Sequence, residues 1–181
     1  MKVFKTPLDG CIVLSPTLFS DDRGSFYESY KKTILDDFLG YKVEFVQDNE
    51  SFSSKGVLRG LHFQKGVYAQ AKLVRVVQGA VLDVAVDLRL ESPTYGQHFS
   101  IELSSENKKQ LFIPRGFAHG FVVLSDTALF SYKCDNYYNK SSESGIIYND
   151  PTLNIDWKFP DDQLQLSKKD LELPQFKSLK L

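Results

Sequence analysis

Three side chains with chemistry in them, Arg59, His62 and Gln64, fall inside the run Gly56-Val57-Leu58-Arg59-Gly60-Leu61-His62-Phe63-Gln64. An imidazole exchanges protons near neutral pH, and a guanidinium grips two oxygens of an anion at once. Large apolar residues, Val57, Leu58, Leu61 and Phe63, stand between them. A surface loop has no use for such neighbours, and a plain core strand has no use for the charges. Polar, titratable side chains held against an apolar wall indicate a binding pocket on a β-strand. Arg59 and His62 differ by an odd number of positions, so a regular strand sends them to opposite faces. If both face one cavity, Gly60 is the expected bulge. A strand histidine taken alone serves packing more often than catalysis, so the reading needs partners elsewhere in the chain.

The elements that must position these residues are short strands. Residues 11–14 read as a first strand closed by Pro16, and Asp21-Asp22-Arg23-Gly24 is turn chemistry. A strand is expected over 25–30, and a short helix over 31–38 with Gly40 as its stop. From Val43 the texture is β: 43–46, 57–64, 72–77, 80–88, 98–103, 111–113, 120–124 and 128–133 are rich in Val, Leu, Ile or Phe and separated by turn signals. Many short strands with almost no helix between them indicate an all-β sandwich or barrel with antiparallel connections. Structure is expected again at 145–148, and a last turn of helix near 166–170.

At 181 residues the chain fits a single domain, 1–181, with its own core. A net charge of −1 argues against a nucleic-acid partner held through its phosphates. The first ten residues lack a signal-peptide core and no stretch approaches a membrane span, so a cytoplasmic protein with no membrane partner is expected. Cys11 and Cys134 are too few for a disulfide framework and read as buried thiols.

Pro114-Arg115-Gly116-Phe117-Ala118-His119 has the Pro-x-Gly-x-x-His pattern of the second cupin motif, and Gly56 to His62 fits the start of the first. In a metal-binding cupin a second histidine follows two residues after the first, with a glutamate soon after. Gln64 stands at the first of those places, and no acidic residue occurs up to Tyr68. His62 and His119 alone fall short of the three protein ligands that a divalent metal needs. The resemblance therefore implies a cupin-type jelly-roll β-barrel with no metal.

A closer resemblance runs through the chain to Asp170. Asp21-x-Arg23-Gly24-x-Phe26-x-Glu28, Val46-Gln47-Asp48-Asn49, Gly56 to Gln64, Lys72-Leu73-Val74-Arg75, Asp83-Val84-Ala85-Val86-Asp87 and Gly116 to Gly120 follow in order. Tyr132-Lys133, Tyr137-Tyr138, Asp150-Pro151 with Ile155-x-Trp157, and Ser167-x-Lys169-Asp170 complete the set. Together they resemble the dTDP-4-dehydrorhamnose 3,5-epimerase family. The resemblance implies a cofactor-free isomerase that inverts two carbons of a dTDP-4-keto-6-deoxy sugar, a precursor of cell-surface polysaccharide. It implies His62 as base, Asp170 as the carboxylate that orients it, Tyr132 as the acid on the opposite ring face, and Lys72, with Arg59, as the stabiliser of the enolate. Arg23, Glu28, Gln47, Asp48, Asn49, Arg59, Lys72, His119, Glu143 and Lys169 match the family's nucleotide-sugar contacts, and Tyr138 is favoured for stacking on the base. The family's homodimer implies that Arg23 and Glu28 serve the partner's site. A family-typical glycine before Lys72 is replaced by Ala71, which bears on the loop's backbone and not on the lysine.

Rival readings are a single-position epimerase or ketoisomerase on a related nucleotide sugar, a metal cupin, and a non-catalytic sugar-binding module. Tyr132 argues against the ketoisomerase, Gln64 against the metal cupin, and the His62, Tyr132 and Asp170 set against the binding module. Asp83 and Asp87 lie in an apolar strand with no role legible, and His98 has no motif around it.

Overall fold

A computed structural model describes residues 1–180. Among these residues, thirteen strands and two α-helices follow one another as β1 (Lys2–Lys5), β2 (Ile12–Ser15), β3 (Phe19–Asp21), β4 (Gly24–Phe26), α1 (Lys32–Leu39), β5 (Gln47–Ser54), β6 (Leu58–Gln64), β7 (Lys72–Gln78), β8 (Ala80–Asp87), β9 (His98–Ser104), β10 (Gln110–Ile113), β11 (Phe117–Val123), β12 (Thr127–Cys134), β13 (Glu143–Gly145) and α2 (Lys168–Leu171). Six strands form one sheet in the order β1-β2-β10-β7-β12-β5, and five form a second in the order β13-β6-β11-β8-β9. Neighbours within each sheet are antiparallel. The two sheets close on each other as a jelly-roll barrel, and β3 with β4 makes a separate hairpin.

Inward side chains of both sheets, among them Val74, Val76, Val81, Ala85, Leu103, Leu111, Phe121 and Phe130, form the central core. The outer face of the second sheet is covered as well: Leu82, Val84, Val86, Ala118 and Val122 pack under Ile146, Leu153 and Trp157 of the C-terminal segment. Strand β8 is therefore buried on both sides, which explains why it is apolar apart from Asp83 and Asp87. Helix α1 covers part of the first sheet, driving Leu35 between Ile12, Leu14, Leu73 and Phe112; burying one leucine stabilises by about 1.5–3 kcal/mol. Gly40 ends that helix in the left-handed region (φ 75°), its N–H returning to the Asp36 carbonyl.

Two expected strands differ from the structure. Residues 43–46 are irregular, and the strand of this region is β5, one step further on. Its burial alternates, but the half-buried positions Gln47, Asn49 and Ser51 are polar, so the apolar signal that marks a strand is missing. The strand expected over 25–30 ends at Phe26, because its pairing is confined to the β3–β4 turn.

The bulge at Gly60 is present. His119 pairs with His62 while Phe121 pairs with Arg59, so β6 spends one residue more than β11 between the two pairs. Gly60 has φ 125°, and a Cβ there would lie 2.5 Å from the Cα of Gly120. Only glycine fits that approach, and the extra residue turns Arg59 and His62 into the same cavity.

Candidate active site

The barrel interior opens into a cavity of about 330 Å³ lined by Ser51, Arg59, His62, Lys72, His119, Phe121, Phe130, Tyr132, Ser167, Lys169 and Asp170. A second chamber of about 240 Å³ shares His62, Lys72 and Tyr132 and adds Gln47, Asn49, Phe63, Gln64, Gln70, Tyr138 and Glu143. The three shared residues stand where the chambers join, and the combined space suits one small-molecule ligand.

His62 reaches the cavity from β6, and its Nε2 lies 2.5 Å from Asp170 Oδ1. Asp170 is only 4% exposed although it sits near the end of the chain. Ser167 caps α2, its hydroxyl accepting the Asp170 N–H at 3.1 Å. Just before that helix, Gln165 is stitched to the start of the histidine's own strand: Leu58 N–H donates to the Gln165 carbonyl at 3.0 Å, and Gln165 N–H to the Gly56 carbonyl at 2.9 Å. Burial by itself raises the Asp170 carboxyl, but the hydrogen bond and charge of His62 outweigh it and hold the carboxyl below its usual range. With Nε2 committed to this carboxylate, Nδ1 is the ring nitrogen left to accept a proton.

Tyr132 comes from β12, in register with Val74 on one side and Asn49 on the other. Burial pushes its hydroxyl above the ordinary value, so it keeps its proton at neutral pH and can donate it. Lys72 Nζ lies over the Tyr132 ring, 5.9 Å from its centroid. Burial lowers the pKa of Lys72. A cation in such surroundings interacts strongly with any negative charge that develops beside it.

His119 enters from β11, its Nε2 2.9 Å from Asp83 Oδ2 on β8. Asp83 is fully buried. Burial lowers the pKa of His119, while Asp83 pulls it the other way. The ring lies nearly parallel to Phe130, with centroids 6.0 Å apart. Asp83 is thus a positioning residue that sequence reasoning left without a role. Its partner is set by the pairing of β8 with β11, which no local pattern shows. Asp87 serves the turn beyond the strand, accepting from Arg89, Ser92 and Thr94.

A polar rim surrounds the opening. Glu143 accepts from Tyr138 Oη at 2.9 Å and pairs with Lys169 Nζ at 2.5 Å. Burial raises the Glu143 carboxyl, yet these two partners more than offset it and hold it low. Arg59 Nε donates to Ser53 Oγ at 3.1 Å, and Gln47 Nε2 to Asn49 Oδ1 at 3.0 Å. Tyr138 is 51% exposed, which leaves ring surface free for stacking. Gln64 is buried, its Oε1 accepting the Asn139 N–H at 3.0 Å. Among the described residues no group of three or more His, Cys, Asp or Glu side chains is placed to hold a metal ion.

Three residues expected at the site lie away from it within one chain. Asp48 points from the opposite face of β5 and pairs with Lys133 at 2.9 Å, the outcome of alternation with Gln47 and Asn49 on either side. Arg23 and Glu28 belong to the β3–β4 hairpin and the segment after it. They pair with Asp21 at 2.5 Å and Lys31 at 3.7 Å, in surroundings largely open to solvent. His98 lies on β9, outside the two chambers.

Comparison with known proteins adds a second line of evidence. A sequence profile of dTDP-4-dehydrorhamnose 3,5-epimerase matches residues 5–178. The dTDP-4-dehydrorhamnose 3,5-epimerase of Salmonella typhimurium is 54% identical over 175 residues, covering 96% of this chain and 94% of that protein. The crystal structure of the enzyme of that name from Elizabethkingia anophelis superposes with a TM-score of 0.95 at 58% identity, covering 98% of this chain and 97% of that one. A dTDP-6-deoxy-D-glucose-3,5-epimerase from Legionella pneumophila, solved in complex with dTDP-4-keto-L-rhamnose, gives a TM-score of 0.94 at 49% identity, covering 99% and 94%.

The depressed Asp170 carboxyl has a consequence for stability. Its contribution is present above the unfolded carboxyl value of about 3.9 and is lost as pH falls through the lower native one. We expect Asp170→Asn to cost about 1.5–3 kcal/mol near pH 7, the scale of a hydrogen bond to a charged group. The gap from wild type should close in acid, in urea unfolding measured from pH 7 downward. A gap independent of pH would mean that the carboxylate is not ionised against His62.

Proposed function

The chain belongs to the dTDP-4-dehydrorhamnose 3,5-epimerase family, and we propose that it converts dTDP-4-dehydro-6-deoxy-D-glucose to dTDP-4-dehydro-L-rhamnose by inverting C3 and C5. The protons on those carbons flank the C4 ketone, so removing either one places the electron pair on the C4 oxygen as an enolate. His62 takes the proton through Nδ1, and Asp170 stabilises the imidazolium that forms. Lys72 meets the developing oxyanion. Tyr132 then delivers a proton to the opposite face of the carbon, which inverts it. Exchange with solvent removes the proton from His62 and restores the one on Tyr132 before the second carbon is inverted. Only protons move and the redox state is unchanged, so no electron carrier is called for.

Each part has a known scale. General acid–base catalysis supplies about 10²–10⁴-fold, and one oxyanion donor about 10²–10³-fold. The observation that carries the reading is that the His62–Asp170 dyad, Tyr132 and Lys72 line one cavity. Arg59 and Lys169, both in its wall, suit a diphosphate, and the exposed ring of Tyr138 suits a thymine.

We also propose that the enzyme works as a homodimer. Phe19 and Phe26 are 62% and 67% exposed on the β3–β4 hairpin that leads to Arg23 and Glu28, and Phe52 is 63% exposed on β5. Strand β5 ends the first sheet, an open edge that a second copy would cover. In this arrangement the hairpin of one subunit carries Arg23 and Glu28 to the nucleotide bound by the other.

Two experiments test these statements. Incubated with the 4-keto sugar nucleotide in heavy water, the protein should place deuterium at both C3 and C5 and yield an L-configured product by NMR. Deuterium at C3 alone would make it a single-position epimerase, and none at either would remove this substrate. For the hairpin, Arg23→Ala and His62→Ala proteins should each turn over poorly, whereas co-expressed as a mixed dimer they should regain activity. One of the two sites then has both residues intact. A mixture no better than its parents would place Arg23 in the service of its own subunit.

A further inference from the structure

Among the described residues, two buried side-chain polar atoms lack a hydrogen-bond partner, Ser51 Oγ and Asp83 Oδ1. Asp83 lies behind the cavity wall and holds His119 through its other oxygen, whereas Ser51 lines the cavity directly. An unpaired buried hydroxyl weakens folding and is retained only where something else repays it. Its neighbours on the inner face of β5 are already engaged. Asn49 receives Gln47 Nε2, and Ser53 receives Arg59 Nε. Ser51 stands between them, in register with Phe130.

We propose that Ser51 Oγ hydrogen-bonds a ring hydroxyl of the hexose and is a specificity-determining residue of this site. The inference rests on the reading that the ligand is a dTDP-hexose, and it assigns a contact within it. Ser51 lines the chamber that holds Arg59, His119 and Asp170 and is absent from the lining of the chamber of Gln47 and Tyr138. It therefore meets the sugar and not the base. Its cross-strand neighbour is aromatic: Phe130, in register with Ser51, stacks on Phe121 at 4.2 Å in the same wall. Such a wall suits a neutral hydroxyl, while a phosphate is better served by Arg59 and Lys169. A 4-keto-6-deoxyhexose bound through C1 has free hydroxyls only at C2 and C3, so the contact falls on that edge of the ring. A hydroxyl enclosed by apolar surface discriminates well, because a ligand lacking its partner leaves it unpaired.

The test uses binding, not turnover. dTDP and dTDP-6-deoxy-D-glucose, which has no ketone and does not react, are titrated by calorimetry into wild type and Ser51→Ala. We expect equal affinity for dTDP in the two proteins and a loss of about fivefold to tenfold for the sugar nucleotide in the variant, the worth of one hydrogen bond. Of the 2-deoxy and 3-deoxy analogues, one should lose the same factor in wild type and nothing further in Ser51→Ala, which identifies the hydroxyl. Equal binding of dTDP-6-deoxy-D-glucose by both proteins would overturn the assignment while leaving the nucleotide-sugar reading in place. A parallel loss for dTDP itself would make Ser51 a packing residue. Failure of wild type to bind either ligand would overturn both readings.

Discussion

Asp170 holds His62 by a carboxylate placed 2.5 Å from Nε2, and the two residues are 108 positions apart in the chain. Hydrogen bonds of the C-terminal segment bridge that separation. Before α2, Gln165 joins the tail to Gly56 and Leu58 at the root of the histidine's strand. After α2, Ile147 N–H donates to the Pro174 carbonyl, and Asp150 Oδ2 accepts the Phe176 N–H at 2.8 Å. Asp150 also receives Thr152 and Leu153 N–H through its other oxygen. The four-residue helix α2 is thus clasped on both sides, and a carboxylate on a short tail element acquires the fixed geometry that acid–base chemistry demands.

Burial bears on the other proposed roles. The same desolvation that raises the pKa of Tyr132 lowers that of Lys72, so one apolar wall sets the proposed acid and the proposed electrostatic donor side by side. The wall itself comes from β12 and β11, where Phe130 and Phe121 stack and His119 lies against Phe130. On the open side the charges pair with one another: Glu143 restrains both Lys169 and Tyr138. Lys169 is therefore ion-paired in the free protein, and the proposed diphosphate has to compete with Glu143 for it. The jelly roll contributes the distances. Antiparallel register puts Lys72 beside Cys134 and Tyr132 beside Asn49, so residues from three strands meet at the junction of the two chambers.

Much of this was legible in the sequence because the physics involved is local. Alternation and turn chemistry located β6, β7, β8, β9, β10 and β12 closely, and the odd spacing of Arg59 and His62 pointed to a bulge at Gly60, where the register does slip. Strand β5 escaped because Gln47, Asn49, Ser51 and Ser53 turn polar groups inward, which cancels the pattern that marks a strand. Asp83 was visible as a charge in an apolar strand, but its partner is set by the pairing of β8 with β11. The pairing of Asp170 with His62 came from resemblance alone, since no local pattern links residues so far apart. Asp48 was carried along with Gln47 and Asn49, and alternation turns it to the other face.

The central claim is that base and acid address opposite faces of one sugar ring. A crystal structure of the protein with a dTDP-linked 4-keto-6-deoxyhexose bound tests it most directly. We expect the C4 oxygen within about 3.2 Å of Lys72 Nζ, with His62 Nδ1 against one face of the ring and the Tyr132 hydroxyl against the other. A sugar with both residues on the same face, or one seated clear of His62, would contradict inversion by this pair.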